Sequence, residues 1–153
     1  MATDSTFVWD ESFVSNMDMS SATTFAGSAY IATYGCAFMI VQSTGLSGNA
    51  KYASMCLSST GTGTAMPIGV VQNTPTSGHA ATVRLMGRSK LLASSSGTIA
   101  YGDFVSSTTW GAGISITTSG GRVLGIARSA STGAAGQLVE VDLTGGWPYV
   151  IGG

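Results

Sequence analysis

Residue types that carry enzyme chemistry are scarce in this chain, and their spacing builds no recognisable active site. His79 is the single histidine, it lies in a Ser-Gly-His turn, and the chain contains no GxSxG nucleophile motif. A hydrolytic triad needs a nucleophile, a histidine and an orienting carboxylate that converge in space, and abundant serine is no evidence for one. We therefore expect His79 to be an exposed turn residue and the protein not to be an enzyme.

Metal and phosphate sites are not indicated either. A tetrahedral zinc site needs ligands at close, regular spacing. The single histidine, the two cysteines, Cys36 and Cys56, which are twenty positions apart, and the scattered carboxylates do not have such spacing. Glycine-rich segments such as residues 61–63 and 111–113 lack the GxxxxGK[ST] continuation that cradles phosphates. We expect no catalytic, metal or cofactor site and no cofactor. The two cysteines are expected to be small buried thiols in strands, with one disulfide as the alternative.

The composition excludes several classes of protein. Glycine, serine and threonine account for 63 of the 153 residues, and charged residues for 8%, against about 25% in an average globular domain. Six Lys and Arg against seven Asp and Glu leave no basic surface for nucleic acid. The most apolar run, residues 30–41, is shorter than the roughly twenty residues of a membrane-spanning helix. We expect a soluble protein, without a secretory signal, that binds neither nucleic acid nor membrane.

From about residue 36 the sequence changes to short extended runs separated by glycine-rich turns, such as residues 58–65 and 93–97. Strands about every ten residues with such turns indicate an all-β sandwich or barrel. No stretch in this part keeps a helical period for three turns. The predicted strands are residues 36–42, 50–57, 67–73, 80–86, 103–106, 113–118, 122–128 and 137–143.

Two segments form a weak internal repeat. Residues 68–87 (IGVVQNTPTSGHAATVRLMG) and 124–145 (LGIARSASTGAAGQLVEVDLTG) each hold an aliphatic-Gly-aliphatic strand, a turn of small residues, and an alternating strand closed by glycine. Alternating side chains point to opposite faces, and a hairpin with one apolar face must pack against something. Two such hairpins closing over each other predict a small barrel or sandwich. The predicted core positions are Ala81, Val83, Leu85, Val139, Val141 and Leu143, and the outward ones are Thr82, Arg84, Glu140 and Asp142.

Three strings follow one another in a distinctive order: PIGVVQNTPTSGHAATVRLMG, then IAYGDFV, then GRVLGIARSASTGAAGQLVEVDL. The order and spacing resemble the tailed-phage capsid decoration (cement) proteins, whose pattern is "iGV…P…G.aa.V…G", "i..Gd.v" and "GrvlGiA…a..G.lveV.l". The resemblance covers residues 36–145. It implies that this range is a small β-barrel or β-tulip domain. Residues 1–35 and 146–153 do not match the family pattern, and we expect them to be an extended N-terminal arm and a C-terminal tail.

The resemblance also implies a function. Such a protein would be a structural virion component, made in the host cytoplasm, that binds the major capsid protein on the outer surface of the phage head and stabilises the lattice. The family is often trimeric, so we expect a homotrimer, with a dimer as the open alternative. A surface of hydroxyls and glycine suits close packing, and many weak contacts add up across a lattice.

Residues 1–20 have the features of an interaction arm. Residues 1–50 carry a net charge of −4 and residues 51–153 a net charge of +3. The spacing by four of Trp9, Phe13 and Met17 behind Asp10 predicts a short amphipathic helix. Its apolar side chains would bind the shell and its acids would steer it to basic surface, while a solvated acidic leader is the plain alternative. The capsid-contact candidates are Phe7, Trp9, Asp10, Glu11, Phe13, Met17, Trp147 and Tyr149.

A second function class stays open, a ligand-binding β module such as a tail-fibre or adhesin domain. Sugar sites present aromatic platforms beside polar groups, and here Trp110, Trp147 and Tyr101 would supply them. A glycan array separates this hypothesis from decoration of a shell.

Overall fold

The computed structural model describes residues 7–20, 36–47, 50–56, 65–117, 120–134, 136–145 and 149–150. These residues form strands and turns with one short 3₁₀ turn, Thr109–Gly111, which confirms the all-β prediction. No helix in these ranges has the length and apolar character needed to cross a membrane. The strands are β1 Trp9–Ser15, β2 Ile40–Ser47, β3 Ala50–Met55, β4 Pro67–Val71, β5 Ala80–Leu92, β6 Phe104–Ser107, β7 Gly113–Ser115, β8 Arg122–Val123, β9 Gly125–Ala127, β10 Leu138–Thr144 and β11 Tyr149–Val150.

Five strands close into a barrel in the order β1-β3-β2-β4-β5, because β1 also pairs with β5. The β1–β3 pair is parallel, with Val14 opposite Tyr52, and the β1–β5 pair is antiparallel, with Phe13 opposite Ala81. Closing a sheet on itself removes the unpaired strand edges that would otherwise invite aggregation. A barrel is therefore present, as predicted, but it closes through β1 and does not contain β9 and β10 of the second repeated hairpin, so the two hairpins do not close over each other as predicted.

A second layer continues from the far half of β5. This strand has 13 residues, and its second half pairs with β10, which is followed by β9, β6 and β7. A separate two-stranded sheet joins β8 and β11. Because β5 belongs to both the barrel and the open sheet, it ties the two layers into one unit.

Two apolar clusters lie on the two sides of the shared strands. Neighbouring residues in one strand point into different clusters: Val71 and Leu92 face the barrel interior, and Val70 and Leu91 face the space between barrel and open sheet. Such strands are buried on both faces, which explains their continuous apolar runs. The barrel cluster contains Phe13, Met19, Cys36, Met39, Val41, Ala53, Val71, Ala81, Val83, Leu85 and Leu92. The second cluster contains Ile40, Cys56, Val70, Leu91, Ala93, Ile99, Val105, Leu124, Ala127, Val139, Val141 and Leu143.

The internal repeat is real in three dimensions. All six predicted core positions are buried, while Thr82 and Glu140 are exposed and Arg84 and Asp142 are partly exposed. Equivalent glycines stand where a facing strand leaves no room for a side chain. A Cβ on Gly69 would lie 2.2 Å from the carbonyl oxygen of Arg84, and one on Gly125 would lie 2.3 Å from that of Asp142.

Several strand bounds differ from the prediction. The first predicted strand, residues 36–42, is a turn followed by Ile40–Ser47, and β5 runs six residues beyond position 86 to Leu92. The predicted strand 122–128 is divided at Leu124 into β8, which pairs with β11, and β9, which pairs with β6 and β10. Pairing between distant strands, which the local alternation of side chains does not reveal, decides where each strand begins and ends.

The prediction of an N-terminal arm outside the barrel is wrong for Trp9–Ser20. Trp9–Ser15 is a barrel strand and not the predicted amphipathic helix. The chain beyond it stays attached, because the Met19 N–H donates to the carbonyl of Pro75 at 2.8 Å. Pairing with β3 and β5 satisfies the backbone of this segment, so a strand outweighs the helical spacing. Residues 1–6 and 21–35 of the predicted arm lie outside the described residues.

Candidate interaction surface

The first predicted contact residues lie on the outside of β1 and just before it. Phe7 is 70% exposed and Trp9 is 47% exposed. The register between β1 and β5 shifts between Trp9 and Asp10, and such a bulge re-aims a side chain. The Phe7–Val8 backbone crosses β5 at Gly87, where a Cβ would lie 2.3 Å from the Phe7 carbonyl oxygen. These two aromatic side chains are therefore held in place on the barrel and presented to solvent.

The two acids that follow are occupied within the protein. Asp10 accepts two hydrogen bonds from the Arg84 guanidinium, at 2.8 and 2.9 Å. The hydrogen bond from Arg84 lowers the pKa of Asp10 against the opposing effect of partial burial. Glu11 forms an ion pair with Lys51 of β3. Both carboxylates therefore bind β1 to its neighbours, a role that the sequence analysis did not foresee.

Phe13 and Met17 face the barrel. Phe13 is only 7% exposed and belongs to the barrel cluster, and Met17 is partly buried against it. The Lys51 ammonium lies 6.0 Å from the centre of the Phe13 ring. A side chain enclosed with the ten other residues of this cluster offers little surface to a partner, so the structure does not favour Phe13 as a capsid contact.

The C-terminal candidates are placed only in part. Tyr149 lies in β11, where its backbone pairs with Val123 of β8, and Trp147 lies outside the described residues. Their proposed contact with a shell stays a prediction.

The structure describes two of the three residues predicted to form a sugar platform, and they lie near the two ends of one strand. Tyr101 lies in the turn before β6, and Trp110 lies beyond the other end of the same strand. Trp110 is 51% exposed and has a φ of 75°, a left-handed conformation that bulky residues adopt only under strain. These two rings lie toward opposite ends of β6, and the third predicted platform residue, Trp147, lies outside the described residues.

A network of charges on the open sheet was missed by the sequence analysis. Asp142 of β10 accepts hydrogen bonds from Arg88 of β5 at 3.0 Å and from Arg128 at 2.5 Å. Partial burial raises the pKa of Asp142, but the hydrogen bonds from both arginines outweigh it and lower the pKa overall. The alternation in β10 showed that Asp142 faces outward, whereas its partners depend on the pairing of distant strands.

The groups with chemical potential are separated. The His79 Nδ1 lies 2.7 Å from the Thr76 hydroxyl within an exposed turn. Cys36 and Cys56 are free and buried, and burial, together with the charge of Asp18, raises the pKa of the Cys36 thiol to about 11. Cys36 lies in a turn and Cys56 follows β3, so the thiols are buried as predicted but outside the strands. The described residues contain no group of three His, Cys, Asp or Glu side chains that would hold a metal ion.

Comparison with known proteins finds similarity among solved structures. No family model and no curated protein sequence matches the chain. Among solved structures, the chain is similar to the crystal structure of the head fiber gp8.5 N base in bacteriophage phi29, with a TM-score of 0.61 and 14% identity. The match covers 90% of this chain and 95% of the other. At this identity the likeness shows that the two chains share a fold.

Proposed function

We propose that this protein is a structural component of a bacteriophage head that binds the outer surface of the shell and stabilises its lattice. The observation that carries the proposal is the shared fold with the N base of a phage head fiber over nearly the whole of both chains. The order of the three motifs between residues 67 and 143, which resembles the decoration proteins, supports it independently.

The architecture suits such a role. A closed barrel has no free strand edge, and the open sheet is fastened to it through the 13-residue β5. A rigid unit loses little conformational entropy on binding, so weak contacts repeated over a lattice convert efficiently into avidity.

The contact with the major capsid protein is assigned to the exposed aromatic side chains at the start of β1. Phe7 and Trp9 are large, apolar and held by the close passage of the Phe7–Val8 backbone over Gly87. Aromatic side chains of this kind supply most of the free energy in many protein interfaces. Asp10 and Glu11 are paired internally, so they contribute to the position of β1 and little to steering.

The proposal is tested by adding the purified protein to phage heads that lack it. We expect the protein to co-sediment with the heads and to raise the temperature at which they break open. Electron microscopy separates decoration, with density at regular lattice positions, from sparse projecting fibres. A protein that neither sediments with heads nor changes their stability contradicts the proposal.

A pair of variants tests the contact. Phe7→Ser combined with Trp9→Ser should weaken binding to heads by about tenfold or more and leave the unfolding temperature nearly unchanged, because both side chains are exposed. Tyr101→Ser, which removes an exposed aromatic side chain from the turn before β6, is the matched control and should bind normally. If the wild type, the double variant and Tyr101→Ser bind heads equally well, the contact lies elsewhere, at Trp110 or at the C-terminal Trp147 and Tyr149.

A further inference from the structure

Trp110 combines two properties that packing in the core does not explain. Its φ of 75° lies in the left-handed region, which strains the backbone of a bulky residue, and its side chain is 51% exposed. Strained residues persist only where the surrounding structure holds them in place, and they cluster at sites that bind a partner or a ligand. The observed strain is therefore a reason to look for a binding role.

Phe38 shows how such strain is compensated inside the protein. It is the other described residue, apart from glycine, with a positive φ, 63°. Its ring packs against the second apolar cluster, its N–H donates to the carbonyl of Val71, and its carbonyl accepts from the N–H of Leu92, both at 2.8 Å. Trp110 belongs to neither cluster, and half of its side chain faces solvent. Burial in the core thus accounts for Phe38 and not for Trp110.

The turn that carries Trp110 is short and fixed by backbone hydrogen bonds. Between β6 and β7, the Thr108 N–H donates to the carbonyl of Ala112 at 2.8 Å, and the Gly111 N–H donates to the carbonyl of Thr108 at 3.3 Å. Gly111 also has a positive φ, 78°. Hairpin turns with two successive residues of positive φ strongly prefer Asn-Gly. Tryptophan is therefore not the residue that this turn selects for its own stability.

The ring is presented in the way that an interface anchor requires. Tryptophan is enriched among the residues that dominate binding free energies. A ring on a fixed turn loses little conformational freedom when it enters a pocket. The sequence from residue 104 to residue 121 contains no charged residue, so an apolar partner surface can cover the turn without removing a charge of this segment from water.

The neighbouring side chains favour a protein over a sugar as the partner. A sugar site needs polar groups beside the aromatic ring. Gly111 and Ala112 have no polar side chain, the Thr108 hydroxyl donates to the carbonyl of Ala112 at 3.1 Å, and Tyr101 lies before the far end of β6. An apolar pocket in a protein matches a single projecting ring better.

We propose that Trp110 is a second anchor of this protein on the phage shell, whose ring enters an apolar pocket of the major capsid protein. This inference rests on the proposed function and adds to it a contact on a different hairpin from Phe7 and Trp9. The turn is less stable than it would be with asparagine, because binding requires the ring. Such an exchange of stability for function is common at binding sites.

The first test needs no partner. Trp110→Asn removes the ring and introduces a residue that accepts the left-handed conformation. We expect the unfolding temperature to rise by about 2–4 °C, because the strain is relieved. Trp110→Phe keeps a bulky ring in the same conformation and should unfold at the wild-type temperature. An unchanged or lower unfolding temperature for Trp110→Asn would overturn the proposal, since tryptophan would then serve the fold.

The second test measures co-sedimentation with phage heads that lack the protein. Trp110→Asn should bind at least about tenfold more weakly than the wild type, and Trp110→Phe should lie between them. Tyr101→Asn is the matched control, because Tyr101 is 68% exposed and has no positive φ. This control should bind heads normally and should not unfold at a higher temperature. Wild-type binding by Trp110→Asn, or an equal loss by Tyr101→Asn, would overturn the proposal.

The same samples separate this proposal from the proposed function. A wild type that does not sediment with heads contradicts the proposed function, and the shell is then not the partner of Trp110 either. A wild type that binds heads, with Trp110→Asn binding equally well, contradicts the anchor alone. If Trp110→Asn binds heads normally and loses binding to a glycan array that the wild type binds, the turn is a sugar site and the anchor proposal is wrong.

Discussion

The two repeated hairpins of this protein share a local sequence pattern and occupy different tertiary environments. In residues 68–87 the returning strand β5 is part of a closed barrel, whereas in residues 124–145 the returning strand β10 belongs to the open sheet. Gly69 and Gly125 meet the same obstacle, a carbonyl oxygen of the facing strand, followed by a valine side chain at 2.9 Å in both. The backbone geometry of the hairpin is thus repeated in detail.

The two hairpins differ in the residues that pack against them. The closing glycines have nearly the same left-handed φ, 92° at Gly87 and 93° at Gly145, but the first is crossed by the Phe7–Val8 backbone and the second by the Met86 side chain. At equivalent outward positions stand Arg84 and Asp142, of opposite charge, and each is paired with residues from other strands. A repeated unit therefore sets its own backbone geometry, while the strands that pack beside it decide whether it closes a barrel.

The largest expected effect comes from filling the glycine sites. Gly69→Ala and Gly125→Ala each force a Cβ to within 2.3 Å of a backbone oxygen, and the strands cannot separate without losing their hydrogen bonds. We expect each to cost about 4–5 kcal/mol of unfolding free energy, the upper end for a single substitution, or to prevent folding. Denaturant unfolding followed by circular dichroism measures this.

Gly97→Ala is the control for this pair. Its new Cβ would lie 3.5 Å from the Ile114 Cδ1 atom, an ordinary contact, so near-wild-type stability is expected. If alanine were tolerated at only one of Gly69 and Gly125, the two hairpins would not be structurally equivalent.

Truncation of one core leucine in each hairpin is next in size. Leu85 lies in the barrel cluster and Leu143 in the second cluster, and both are buried. Leu85→Ala and Leu143→Ala should each cost about 2–5 kcal/mol, because a cavity remains where the side chain was. The exposed Leu138→Ala is the matched control and should cost less. A small cost at Leu143 alone would mean that the open sheet unfolds separately from the barrel.

The ion pairs should have a smaller, pH-dependent effect. The pKa values of Asp10 and Asp142 are lowered in the folded protein, so both carboxylates stabilise the fold above about pH 4, the pKa of an unfolded aspartate, and this contribution is lost as the pH falls through the folded pKa. Asp10→Asn and Asp142→Asn should each cost up to about 1 kcal/mol at pH 7. Asp142→Asn should cost more, since two arginines lose their partner.

The pH profile of the unfolding free energy checks the cause. Between about pH 5 and pH 2 the wild type should lose more stability than either variant, because the variants have no carboxylate to protonate at that site. If both variants lose as much unfolding free energy as the wild type over this pH range, the ion pairs of Asp10 and Asp142 do not contribute to the stability of the fold.

The smallest effect is expected at the turn of the first hairpin. His79→Ala removes an exposed ring whose side-chain bonds are confined to its own turn, so unfolding free energy should change by less than about 0.5 kcal/mol. Binding to phage heads should be unchanged as well. A large loss of stability or binding in the same assays would show that the turn has a role that its structure does not suggest.

Much of the fold was predictable because the two hairpins are built from local signals. Alternation in residues 80–86 and 137–143 set which side chains face the core, and glycine set the turns, so all six predicted core positions are buried. The candidate site was predicted less well. Phe7 and Trp9 are exposed as an interface requires, but Phe13 is a core residue because β1 pairs with strands more than thirty residues away in the chain.

The sequence by itself determined the all-β class, the two hairpins, the inward and outward faces of their strands and the need for glycine at their turns. These depend on residues close together in the chain, where sterics and alternation act directly. Only the tertiary structure decided that Trp9–Ser15 closes the barrel, that Asp10 pairs with Arg84, and that Asp142 pairs with two arginines. Such pairings depend on which distant strands meet, and the free energy that selects them comes from enclosing two apolar clusters at once.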